Sequence, residues 1–106
     1  MSWLKTVIGV ISLVVYYWDE IVKWLISLCE AVKNIAHAAE VFAQKVKEEL
    51  VKLKYNLYYK EEGKWIQETT TREIPENEVP ERLRNVISRN ERIVSNEIEQ
   101  ELGLTL

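Results

Sequence analysis

The chain has one cysteine, one histidine, two prolines and three glycines among its 106 residues. Each scarcity removes a class of function. Cys29 stands alone, so no internal disulfide can form, and a single thiol in an apolar run reads as buried and inert. His37 has only Glu40 beside it at helical spacing, too few ligands for a zinc-type site, so it reads as a surface histidine. Cys29 and His37 are eight residues apart, which does not assemble a nucleophile with a base. Gly9, Gly63 and Gly103 are isolated, so there is no glycine-rich loop to cradle a phosphate. The expectation is no enzyme, no cofactor and no metal.

Charge of one sign is also lacking. The formal net charge is −3. The first 54 residues carry seven lysines against six acidic residues, and the last 52 carry seven lysines and arginines against eleven glutamates. Neither half holds the dense basic patch that binding to a phosphate backbone requires, so nucleic acid is not an expected partner. The four arginines Arg82, Arg84, Arg89 and Arg92 are interspersed with glutamates and read as a solvated face.

The absence of proline before Pro75 directs attention to what is present. From Leu4 to Leu53 apolar residues recur at steps of three and four. Leu4, Val7, Ile11, Val14, Trp18, Ile21, Leu25, Leu28, Val32, Ile35, Phe42 and Val46 mark this seam, and the spacing predicts one amphipathic, coiled-coil-like helix over about residues 3–54. Lys5, Ser12, Asp19, Lys23, Glu30 and His37 fall on a narrow polar stripe opposite. Val7–Val15 is rich in β-branched residues and in isolation could form a strand, but the seam continues on both sides of it.

Two environments are expected on that helix. Residues 1–30 are apolar nearly all round, and from Thr6 to Trp18 there is no charge. Asp19, Glu20 and Lys23 interrupt the run, and charges at the centre of a bilayer cost about 2.5–3.5 kcal/mol each on insertion scales. Trp3, Tyr16, Tyr17, Trp18 and Trp24 suit a membrane interface. Residues 31–54, rich in alanine and charge, read as a soluble amphipathic half.

Beyond Lys54 the period moves towards two. Residues 55–74 read as a β-hairpin turning at Glu61–Lys64, with Gly63 available for positive φ. Tyr59 and Trp65 are its candidate contacts. Pro80 suits the first turn of a C-terminal helix over about 80–102, which Gly103 closes. The tail from Ser95 to Thr105 resembles the first helix and turn of a helix-turn-helix. The sequence stops where a recognition helix would begin, so the expectation is a local likeness without DNA reading.

The fold class expected is therefore mainly α (α+β), with a hairpin-plus-helix module over 55–106 appended to the long helix. A helix of fifty residues would span about 75 Å, far more than the rest of the chain can cover. Its bare apolar surface predicts a non-enzymatic, self-assembling homo-oligomer, associated with membrane lipid through its first helix as a pore or scaffold. The alternatives are a cytoplasmic helical-bundle or filament subunit, and an accessory protein docking its first helix on a larger partner protein.

Overall fold

The computed structural model describes residues 5–9, 13–35 and 38–103, and it is built on a sheet. Six strands occupy five positions: β1 (Lys5–Gly9), β2 (Leu13–Val14), β3 (Ala38–Lys47), β4 (Leu50–Glu61), β5 (Lys64–Pro75) and β6 (Arg92–Ile93). The order is β1-β5-β4-β3-β6, with β2 also on β5. Helix α1 (Trp18–Ile35) carries the chain from the β1–β2 edge across to β3. The strands β3, β4 and β5 then return as an antiparallel meander, and β1 and β2 lie parallel to β5. After β5 come a 3-10 turn (Glu76–Glu78), α2 (Glu81–Arg84), β6 and α3 (Ser95–Leu102).

This overturns the long helix over 3–54, the coiled coil and the mainly α fold class. The decisive pattern lies in β4. Val51, Leu53, Tyr55, Leu57 and Tyr59 are all buried, a strict alternation that a strand presents to one face and a helix would spread around its circumference. Val41 and Ala43 of β3 continue it. The seam positions Phe42 and Val46 are only half-buried and sit on this strand rather than on a helix. Between the two strands the chain reverses at Glu48–Glu49. Glu49 takes φ 62°, a left-handed conformation that ends any helical path and that L residues adopt at a cost.

The helix that does form is 18 residues long. Ile21, Trp24 and Leu25 are buried, Trp18 and Leu28 partly so, a spacing of three and four that fits one turn-by-turn face. Asp19, Lys23 and Glu30 lie exposed on the other side. Trp24 meets Tyr55 edge-on, with ring centroids 6.3 Å apart and planes at 70°, and the Arg72 guanidinium lies 5.2 Å from the Trp24 ring centre. These contacts fix α1 on the face of the sheet that carries the alternating apolar residues.

Two further expectations change. The hairpin over 55–74 is the outer part of a longer pairing, running from Leu50 opposite Pro75 to Glu61 opposite Lys64. The helix over 80–102 is broken into α2, β6 and α3. The break has a local cause: Ser88 and Asn90 bond one another in a turn, and Lys45 N–H donates to Ser88 O at 2.8 Å. Val94 N–H then donates to Val41 O at 2.8 Å, and Val41 N–H donates to Ser95 Oγ at 3.0 Å. The edge of β3 thus takes this segment as a short strand before α3 starts. Gly103 closes α3 at φ 66°, its N–H on Glu99 O.

The core lies between one sheet face and the three helices. Ile21 and Leu25 of α1, Ile74 of β5, Val79, Leu83 of α2, and Val94 and Ile98 around α3 complete it. No helix among the described residues is long and apolar enough to cross a membrane. Leu4, Ile11, Ser12 and His37 lie outside the described residues, and of Lys5, Val7, Val32 and Ile35 only the backbone is described.

Candidate functional site

The two edges of the sheet are built differently. On the far side β6 is two residues long and is bordered by charge. Glu91 pairs with Lys54 at 2.8 Å, Arg92 Nη1 donates to Val86 O at 3.1 Å, and Gln44 Nε2 donates to Arg89 O at 2.9 Å. Short, charged edge strands are how proteins keep a sheet from growing.

The N-terminal edge also ends in a two-residue strand, β2, but it carries no charge from Thr6 to Trp18. The strands β1 and β2 follow β5 from Lys5 opposite Trp65 to Val14 opposite Glu73. No strand lies outside them among the described residues. Val15 N–H extends the pairing by donating to Glu73 O at 2.7 Å. The chain then turns into α1, and one carboxylate oxygen, Glu20 Oε2, accepts from both Tyr16 N–H and Tyr17 N–H at 3.0 and 3.2 Å. An acceptor in the first helical turn also matches the helix dipole. This cap holds the two backbone positions and leaves both aromatic side chains in solvent. Leu13 is 53%, Val14 49%, Tyr16 65% and Tyr17 67% exposed. Four large apolar side chains over five residues, on an edge with open backbone groups, form the largest local concentration of exposed apolar surface described.

The sheet face away from the helices carries a second organised feature. Gln67 Nε2 donates to Thr69 Oγ1 at 3.0 Å, and Thr69 Oγ1 donates to Asn56 Oδ1 at 2.8 Å. Asn56 Nδ2 in turn donates to the Tyr58 hydroxyl at 3.2 Å. The Tyr58 hydroxyl is bonded to Glu40. Donors from two strands, β5 and β4, therefore run in one direction and end on a carboxylate of the third, β3. Burial pushes the Tyr58 phenol above its usual value; the Asn56 bond opposes this, and the bond to Glu40 and its charge add to it. Asn56 is 4% exposed and bonded through both its amide nitrogen and its amide oxygen, which ties β4 to β5 and rigidifies this face.

The predicted contact residues are dispersed by the fold. Tyr59 lies buried on the helix side of β4 and donates to Glu68 Oε1 at 2.7 Å. That bond, with burial and the Glu68 charge behind it, pushes its phenol up to about 12. Trp65 is half-buried on β5. Val14 joins the exposed edge, whereas Ile21 and Leu25 are in the core. The expected polar stripe survives on α1 only as Asp19, Lys23 and Glu30.

Two shallow depressions flank the β3–β4 turn. One of about 400 Å³ is lined by Glu49, Pro75, Glu76, Asn77 and Arg84. One of about 270 Å³ is lined by Lys45, Val46, Lys47, Glu48 and Arg89. Both mix charges of opposite sign, and the ion pair of Lys45 with Glu76 at 3.2 Å draws on a lining residue from each. No group of three or more histidine, cysteine, aspartate or glutamate residues suited to a metal ion occurs among the described residues.

Sequence reasoning missed Leu13 and gave Tyr16 and Tyr17 to a lipid-facing helix. The signal that points to an edge strand was the β-branched run itself. Compared with protein families, with curated proteins and with solved structures, the chain matches none.

Proposed function

We propose that this protein is a non-catalytic assembly module that makes protein contacts through its N-terminal sheet edge. The observation that carries the reading is the exposure of Leu13, Val14, Tyr16 and Tyr17 beside an edge with no strand outside it among the described residues. An open edge offers backbone donors and acceptors in register, and exposed apolar side chains add affinity when water is excluded. Tyrosine suits such a surface, because it brings a large rigid face and a hydroxyl that can remain wet.

The same side chains suit a second environment, the interfacial zone of a bilayer, where tyrosine concentrates. Membrane association in this form is peripheral and needs no spanning helix. The protein-contact reading is preferred because lipid satisfies apolar side chains but not the open backbone groups of a strand edge.

Sedimentation of the purified protein, alone and with Val14→Asp, tests the reading. The expected result is a species heavier than the 12.5 kDa chain that the substitution dissociates with an unchanged circular dichroism spectrum. Flotation with vesicles of neutral and anionic lipid is the companion measurement. Binding to vesicles by an otherwise monomeric protein would replace protein contact with lipid contact. A monomer that ignores vesicles would refute both.

A further inference from the structure

We infer that the occupant of the N-terminal edge is a second copy of this chain, added antiparallel about a two-fold axis, and that the assembly closes at two. This rests on the reading of that edge as a contact surface.

Charge is the first argument for a like partner. From Thr6 to Trp18 the sequence has no charged residue. Bringing this segment against itself therefore places no like charges across the new strand pair, the arrangement that most often forbids self-pairing. A partner selected by charge would instead leave a mark on this segment.

Closure follows from the asymmetry of the sheet. A two-fold contact uses the same surface on both copies and consumes it. Continued growth would need a second open edge. At the far edge the backbone of β3 is taken around β6: Lys45 N–H donates to Ser88 O, Val94 N–H donates to Val41 O and Val41 N–H donates to Ser95 Oγ, with Glu91 held by Lys54 and Arg92 turned onto Val86 O. One edge is open and one is blunted, so pairing stops after a single event and gives a dimer rather than a filament.

The size of the edge is compatible with this. Its register along β5, from Trp65 to Glu73, is about 30 Å at roughly 3.3 Å per residue. Tyr16 and Tyr17, each two-thirds exposed, extend it beyond β2, and an aromatic side chain supplies about 150–250 Å² when fully buried. Counted over both copies the tyrosines supply about 400–700 Å², a part of the roughly 1,200–2,000 Å² that specific interfaces bury, and Leu13, Val14 and the strand edge add to it.

The test is the mass and dissociation constant of the full chain by sedimentation equilibrium and light scattering. Wild-type protein is expected to reach twice the 12.5 kDa monomer mass and no more as concentration rises. Val14→Lys and Val14→Asp are each expected to raise the dissociation constant about tenfold or more, because either charge would have to be buried at the pairing. Ile93→Lys, on the exposed far edge, is the control and is expected to leave the mass unchanged. Masses that grow without limit would overturn closure while leaving the edge as a contact surface. A dimer lost in Ile93→Lys, or a dimer kept unchanged by both Val14 substitutions, would overturn the pairing. A wild-type monomer that does not float with vesicles would remove the contact reading as well.

Discussion

Substituting Glu49 by glycine separates the sheet from a helical path by the sign of a single number. Glu49 is the second residue of the two-residue reversal between β3 and β4, and Lys47 is paired with Leu50 across it. Its φ is 62°, and an L residue in that region carries a penalty of about 1–2 kcal/mol. Glycine lacks the Cβ that causes it but loses more backbone freedom on folding, by about 0.5–1 kcal/mol. The side chain is exposed, and the bond that Glu76 N–H makes to this residue uses its carbonyl oxygen, at 2.7 Å, which glycine retains. The net expectation is a gain of about 0.5–1 kcal/mol. In the interior of a helix the same change would be a loss of about 0.5–1 kcal/mol. Urea unfolding followed by circular dichroism reads the difference as a rise in midpoint of about half a molar. A thermal scan reads it as about 2–6 °C. Glu48→Gly is the internal control. Glu48 keeps a negative φ, so there only the entropic loss remains, and its midpoint should fall. A fall for Glu49→Gly, or equal responses at the two positions, would refute the turn.

The neighbouring hairpin gives a second expectation of the same kind. Glu62 and Gly63 have φ 50° and 78°, the pattern of the turn that favours Asn-Gly, so Glu62→Asn is expected to raise the unfolding midpoint. Leu25→Ala, at a fully buried position against the sheet, is expected to lose about 2–5 kcal/mol, whereas Ile26→Ala, at the next and exposed position, should stay within about 0.5–1 kcal/mol; chemical denaturation distinguishes them. Tyr59 should ionise near 12 in a spectrophotometric titration, and Glu68→Gln should bring it back towards 10, since the hydrogen bond that its hydroxyl donates to that carboxylate is the leading cause of the shift. Because the folded state favours the protonated phenol, this contribution to stability is full below about pH 10 and is lost as the pH rises through 12.

Legibility varied with how much the local chemistry agreed with the fold. The β4–β5 reversal was readable, because Gly63 and the flanking aromatic and threonine residues all favour a hairpin. The apolar face of α1 was readable as well, since Ile21, Leu25 and Leu28 keep helical spacing inside a real helix. The β3–β4 reversal was not. Residues 38–54 are rich in alanine, glutamate and lysine, which are strong helix formers, and Glu48–Glu49 carries none of the residues that mark a turn. The alternation Val51, Leu53, Tyr55, Leu57, Tyr59 was present but was entered from a frame already set by the three-four seam. Steps of two and of three or four coincide every few residues. Phe42 and Val46 satisfied the seam while Val41 and Ala43 held the burial. The break at Ser88–Asn90 was less hidden, because Ser88 and Asn90 are turn-forming residues, although the bonds that hold the segment come from the distant edge of β3.

The segment that misled most is also the one the proposed function depends on. Thirteen uncharged residues from Thr6 to Trp18 would be expensive on an exposed surface, so lipid or a long helical seam was a reasonable destination for them. A sheet accepts such a run differently. Described strand residues within it pair with β5 on one side, and parallel pairing beside a covered face tolerates β-branched sequence without alternation. What the sheet cannot do is cover its own last strand. Charge or proline would protect that edge, and the chain applies charge beside β6. Their absence between Thr6 and Trp18 is thus a difference between two edges of one sheet, and it locates the surface at which a second chain is expected to complete the structure.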